Sequence, residues 1–228
     1  MARQYIIKKR DSLGKIAKSF YGDSELYQKL ASYNGILDPN LIVVGQTIEI
    51  PSKQELLGHP QEAPVSGLTP PHGPDQIIST FGNIMDFIRE DSSLDPRWEV
   101  EQLARAPLPF SIPLSWDRSK SVTNLLSHKK LSAIFPEVFA TIDSKGLREA
   151  IRTFGGCYNY RPKRTSGKLS THSWGIAIDL NPETNVQGNS GDMDPDVVGV
   201  FQQFGFKWGG EWSGKTKDPM HFQFCTGY

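Results

Sequence analysis

Between residues 52 and 75 the chain carries five of its 16 prolines and shows neither helical nor strand periodicity. Proline fixes φ and has no N–H to give, so no central strand or helix interior can run through such a stretch. The chain therefore has to fold as two separate units joined by a semi-extended linker. The expected boundaries are residues 1–51, a linker over 52–75, and residues 76–228. His59 and His72, inside the linker, read as solvated. With 228 residues there is room for one sizeable core and a small satellite. The 25 basic residues balance the 25 acidic ones and form no Lys/Arg-rich run, which argues against nucleic acid or an anionic membrane as partner. No apolar stretch reaches the ~18 to 20 residues that span a bilayer, so membrane insertion is not expected. The opening Met1 to Arg10 turns polar after two isoleucines and lacks an apolar h-region, so no Sec-type signal peptide is expected. Cys157 and Cys225 are too few for a disulfide scaffold and read as buried thiols, with a single bridge between them left open.

In the first unit Gln4 to Lys8 reads as a short strand. Asp11 or Ser12 then offers an oxygen to cap a helix whose apolar positions Leu13, Ile16, Ala17 and Phe20 keep helical spacing. Gly22-Asp23-Ser24 breaks it, a second helix carries Leu26, Tyr27, Leu30 and Ala31, and Asn34-Gly35 ends that helix. A last strand runs over Thr47-Ile48-Glu49-Ile50-Pro51. This strand–helix–helix–strand order resembles the LysM domain, with Asp-Ser-Leu near its start, Tyr33-Asn34 in its middle and Val44-Gly45-Gln46-Thr47-Ile48-Glu49-Ile50-Pro51 at its end. The resemblance implies binding of N-acetylglucosamine-containing glycans, most often peptidoglycan. The implied groove has Asp11, Ser12 and Leu13 on one side and residues 35–41 on the other. Capping by Ser12 and turning by Asn34-Gly35 are the structural alternatives.

The second unit reads as α+β with helices first and strands later. Ile77 to Ile88 forms an apolar segment and Leu94 to Trp98 a turn. Ala106-Pro107-Leu108-Pro109-Phe110 is unsuited to a central strand. Leu125, His128, Leu131, Ile134, Phe135, Val138 and Ile142 keep helical spacing, and residues 146–153 fit the end of another helix. Short strands are expected at Cys157 to Tyr160, Gly175 to Leu180 and Met220 to Phe224, with a helix over Val197 to Phe204. The fold class is thus a small βααβ unit followed by a larger α+β unit with an antiparallel sheet.

The chemistry-bearing stretch is Lys168 to Asn181. As a strand, Gly175-Ile176-Ala177-Ile178-Asp179 alternates, sending Ile176 and Ile178 to the core and Gly175, Ala177 and Asp179 to the other face. That face has almost no bulk before its carboxylate, the form of a metal or substrate pocket. His172, seven residues before Asp179, reaches the same ion if the chain turns near Trp174-Gly175, which glycine permits. In the last strand Phe222 and Phe224 face the core, while His221, Gln223 and Cys225 take the opposite face. His221 becomes a third ligand, and Asp218, three residues earlier, overhangs the site. Two imidazoles and one carboxylate leave a position open for water, the pattern of a catalytic zinc. Bound metal acidifies that water, and a nearby carboxylate can take its proton.

Ser170-x-His172-x-x-Gly175-x-Ala177-x-Asp179, followed by an acid three positions before a second histidine, resembles the zinc D-alanyl-D-alanine carboxypeptidases of the VanX/VanY type. That family also contains L-alanyl-D-glutamate endopeptidases of phage lysins, and the resemblance extends over residues 76–228. It implies zinc bound by His172, Asp179 and His221, with Asp218 as catalytic acid/base. It also implies an arginine, Arg161 or its rival Arg164, that holds the substrate carbonyl or carboxylate, and a contact of Ser170 with substrate or the metal-binding loop. Family members often have Glu and a Trp-His pair where this chain has Asp218 and Met220-His221, which argues against a dipeptidase. Glu211 reads as a loop acid supporting the site and His128 as a packed residue. Lysostaphin-type hydrolases need a His-x-His pair where this chain has His221-Phe222-Gln223, a weaker fit.

Taken together, the resemblances imply a zinc-dependent peptidase that hydrolyses peptidoglycan stem peptides and is anchored to the wall by its LysM module. It would act as a D-Ala-D-Ala carboxypeptidase or an L-Ala-D-Glu endopeptidase. Made in the cytoplasm without a Sec signal, it would work at the bacterial wall or periplasm with an export machine or a holin as partner. The competing reading is a non-enzymatic wall-binding or phage-tail component with a structural zinc domain.

Overall fold

The computed structural model describes residues 3–36, 38–53, 56, 67–163 and 167–228. The chain divides into two compact units, Met1–Glu62 and Ala63–Tyr228. His59 and Arg164 lie outside the described residues.

The first unit runs β1 (Arg3–Ile6), α1 (Leu13–Tyr21), α2 (Tyr27–Tyr33) and β2 (Thr47–Ile50). Helix α1 starts because Ser12 stays extended and its Oγ accepts from the Lys15 N–H. It stops at Gly22, whose φ of 78° only glycine adopts without strain. The two strands pair antiparallel from Arg3↔Ile50 to Ile6↔Thr47. Ile48 and Ile50 are buried with Leu13, Ile16, Ala17, Leu30 and Ala31. Asn34 does more than turn the chain, since its amide donates to the Leu30 and Glu49 carbonyls and accepts from the Glu49 N–H, tying the end of α2 to β2. The first core also reaches into the expected linker: Leu56 is buried in it, and Lys53 Nζ donates to the Tyr21 carbonyl.

The second unit begins with α3 (Gly73–Phe81), so its first helix takes up residues expected to be linker. Just before it, Gly73 N–H donates to the Thr226 carbonyl, Thr226 N–H donates to that of Pro71, and His72 Nδ1 lies 2.9 Å from Thr226 Oγ1. His72 is therefore exposed but engaged. A short helix α4 (Arg97–Gln102) buries Trp98 and leads into a hairpin, β3 (Leu103–Pro113) and β4 (Ser121–His128). The hairpin bears on two expectations: its proline-bearing strand is no central strand, as expected, and the helical reading of Leu125 to Leu131 is corrected. Its prolines are accommodated because the sheet has only two strands and the register slips between Pro107 and Ile112. Leu125 and His128 belong to strand β4 and Leu131 to a 3-10 turn after it, so the helical spacing there marks no helix, and α5 (Ile134–Ser144) starts only at Ile134. His128 ends β4 buried, with Nε2 on the Phe81 carbonyl, and burial pushes its pKa down to about 4. Strands are therefore not confined to the later part of the unit.

Residues 146–153 contain only a short 3-10 turn at Arg148–Ala150, not a helix end. The strand expected at Cys157 to Tyr160 lies just before it, as β5 (Phe154–Gly156). With β6 (Ala177–Leu180), β7 (Lys207–Trp208) and β8 (His221–Gln223) it forms an antiparallel sheet of order β5-β6-β8-β7. Helix α6 (Pro195–Gln203), capped by Asp194 and opened by proline, lays Phe201 on Phe222 with ring centroids 4.2 Å apart. Ile176, Ile178, Phe222 and Phe224 are fully buried on the core side. Each contributes roughly 1.5–3 kcal/mol, which holds the two strands carrying the site rigidly. Cys157 and Cys225 are free, buried thiols, so the bridge left open by the sequence is not made. Among the described residues no helix is long and apolar enough to cross a membrane.

Candidate metal centre

Three sequence-distant residues meet where β6 and β8 lie side by side. The register Asp179↔His221 sets these two opposite each other. His172 comes from a 3-10 turn over Thr171–Trp174, started by Ser170, whose Oγ accepts from the His172 N–H. Gly175 ends the turn with φ 68° and sits so close to the hairpin that a Cβ would come within 2.8 Å of the His128 nitrogen. Only glycine fits there, and the turn it allows brings His172 back over β6.

His221 Nδ1 is 2.9 Å from Asp179 Oδ1, and His172 Nε2 is 3.2 Å from Asp179 Oδ2. The two ring nitrogens are 3.2 Å apart. The outward nitrogens both meet acceptors: His172 Nδ1 is 2.6 Å from the Cys157 carbonyl, and His221 Nε2 is 3.1 Å from Gln223 Oε1. With hydrogens on those outer positions, the inner nitrogens turn lone pairs toward each other and toward a carboxylate. Only a positive charge between them, a proton or a metal ion, makes that arrangement stable. The donor set fits zinc, for which two imidazoles and a carboxylate with an open position are the catalytic pattern. Burial by itself would lower the His172 pKa, but the Asp179 carboxylate and the Cys157 carbonyl outweigh it and raise it. Asp179 pays a burial penalty and is still held far below the usual carboxylate range by the two histidines.

Asp218 stands beside this cluster. Its N–H donates to the Gly209 carbonyl and its carbonyl accepts from the His221 N–H, which fixes the backbone. Its Oδ1 is buried with no hydrogen-bond partner. Burial pushes its pKa up to about 6; His221 opposes that shift and the Asp179 charge adds to it. A carboxyl kept near neutrality in this way can exchange a proton near physiological pH.

Arg161 is held by its backbone, donating from N–H to Ser173 Oγ and accepting from the Ser170 N–H. Its guanidinium makes no hydrogen bond or ion pair with a described side chain, yet it lies near enough to favour the charged form of Asp218. Ser170 is buried and its hydroxyl serves the turn, so it reaches the site through His172. Glu211 is exposed and accepts from Gln202 Nε2 on α6, and it is not one of the clustered ligands. In the first unit Ser12 caps α1, and Asp11 accepts from the Tyr5 hydroxyl and the Lys8 N–H. Sequence reasoning missed the Cys157 carbonyl, Gln223 and Thr171 behind the histidines, and Trp212, whose ring centroid is 5.5 Å from that of His221. The strand alternation that put Gln223 on the His221 face was the one available signal.

Residues 5–51 match the family described as LysM domain. Residues 163–224 match the family described as D-alanyl-D-alanine carboxypeptidase, in the order expected from the sequence. The second match contains His172, Asp179, Asp218 and His221 and leaves Arg161 outside it. An uncharacterized protein of Deinococcus radiodurans is 51% identical over 47 residues, 21% of this chain and 19% of that protein. An esterase of Mycobacterium tuberculosis, matched in two strains, is 45% identical over 47 residues, 21% of this chain and 10% of the esterase. The chain thus covers only a small part of these relatives' lengths. No solved structure matches it significantly.

Proposed function

We propose that this protein is a zinc-dependent peptidase that hydrolyses peptidoglycan stem peptides and is kept at the bacterial wall by its N-terminal LysM module. The observation that carries the reading is the convergence of His172 Nε2, an Asp179 carboxylate oxygen and His221 Nδ1, all within 4.8 Å of one another, beside the unpartnered Oδ1 of Asp218. A structural site closes all its positions with protein ligands, whereas this one has three ligands and a neighbouring acid. Zinc held by the three residues supplies Lewis acidity for attack on a peptide carbonyl. Asp218 takes the proton of the attacking water at its free oxygen and returns it to the leaving amine. Arg161, whose guanidinium has no hydrogen-bond or ion-pair partner among the described residues, holds a carbonyl or carboxylate of the stem peptide by charge-assisted hydrogen bonds. The LysM module and the linker keep the peptidase near its polymer, raising the effective substrate concentration without any contact at the site.

The scissile bond is the terminal D-Ala-D-Ala or the internal L-Ala-D-Glu. Purified muropeptides incubated with the zinc-loaded protein and resolved by mass spectrometry separate the two. Loss of one alanine marks the carboxypeptidase, and release of the stem peptide after its first residue marks the endopeptidase. Intact muropeptides in the presence of one bound zinc per chain would leave the domain structural.

A further inference from the structure

The Gln223 side chain lies behind His221, buried, on the side away from the ligand cluster. Its amide is oriented independently of the histidine: Nε2 lies 3.3 Å from the Cys225 carbonyl, which can only accept, so Oε1 must face His221. Thr171 Oγ1, 3.3 Å away, gives its hydrogen to the same oxygen. An oxygen so placed requires the hydrogen of His221 on Nε2, leaving the Nδ1 lone pair for a metal. His172 is set the opposite way by the Cys157 carbonyl and offers Nε2. Both acceptors are uncharged, so Asp179 is the sole carboxylate of the ligand set.

We propose that Gln223 is a positioning residue for the zinc cluster, which fixes His221 to bind through Nδ1 and, being neutral, keeps the ion a strong Lewis acid. The inference rests on the peptidase reading above. A carboxylate in the same place would make His221 a stronger donor, tightening metal binding and blunting the ion's acidity.

The full-length chain tests this by competition for zinc against a chromophoric chelator, with the cobalt-substituted absorption spectrum and circular dichroism alongside. Gln223→Met keeps shape and removes the acceptor; its zinc affinity should fall about 10- to 100-fold with the fold retained. Gln223→Glu should bind zinc at least as tightly as the parent, shift the cobalt bands and lower kcat. Thr171→Val should lose affinity more modestly. A folded Gln223→Met with zinc affinity within about twofold of the parent overturns the proposal. If that variant does not fold, Gln223→Glu decides: unchanged affinity, cobalt spectrum and kcat overturn it. A parent chain that binds no zinc sinks the peptidase reading and this inference with it, whereas indifferent variants of a zinc-binding parent sink the role of Gln223 alone.

Discussion

The polar side chains singled out in the first unit are all satisfied within it, and those of the second unit are not. Asp11 takes two hydrogen bonds, Ser12 caps a helix, and Asn34 makes three bonds that join α2 to β2. This unit also leaves apolar side chains open, with Leu41, Val43 and Val44 exposed by 63% or more. In the second unit two imidazoles and a carboxylate point at one another, and among the described residues an acid oxygen is buried unpaired and the Arg161 guanidinium has no partner. A saturated polar residue stabilises, and an unsaturated one is held ready for something else. On this contrast the expected outcome is that substitutions at Asp11 or Ser12 register first as stability.

The contrast is broken most severely at the ligands. His172→Ala or His221→Ala, or chelation of the parent, should abolish turnover, and metal analysis should fall from one zinc per chain to none for the alanine variants. Undiminished zinc in either would dissolve the cluster. Next, Asp218→Asn should keep zinc and lower kcat by ~10² to 10⁴-fold, the usual worth of general acid–base assistance. It has a second signature in the chelated protein. Burial raises the Asp218 pKa from 3.8 to about 6, so the folded state favours the protonated acid and the carboxylate costs stability increasingly as pH rises through that interval. The asparagine variant should therefore melt higher than the parent at pH 7 and match it below about pH 4. Equal kcat would remove Asp218 from the chemistry.

Smaller effects sharpen the comparison. Arg161→Ala should reduce kcat/KM roughly 10- to 100-fold, mostly through KM, with zinc content unchanged, since a charge-assisted bond to substrate is lost. A change in zinc content instead would make Arg161 structural. At the low end, Ser12→Ala should cost about 1 kcal/mol and lower the melting of the first unit by several degrees. Pelleting with peptidoglycan below that transition should not change. Weakened pelleting at unaltered stability would turn Ser12 into a ligand contact.

The parts of this molecule that follow a local period could be read from the sequence. The βααβ unit came from helical spacing and caps, the faces of Asp179 and His221 from strand alternation, and the return of His172 from the turn that Gly175 permits. The β3–β4 hairpin was only half legible: Pro107 and Pro109 rule out a central strand, which it is not, but give no sign of the slipped two-stranded pairing. Leu125, His128 and Leu131 then imitate a helix. The support behind the ligands was also hidden. The Cys157 carbonyl is a backbone group that any residue could supply, and Gln223 is informative only once its amide is seen fixed by the Cys225 carbonyl. Helix α3 starting at Gly73, and Leu56 buried in the first core, show composition overestimating the length of a linker that both units partly absorb.

Strand β8 follows β7 in sequence but lies between β6 and β7 in space. As a ribosome extends the chain, β6 and β7 emerge before the strand that joins them, and His172 and Asp179 emerge before His221, the third side chain of the cluster. A nascent or prematurely terminated product lacking β8 would expose two unpaired strand edges, open to association with other chains. It would also hold only two of the three clustered side chains.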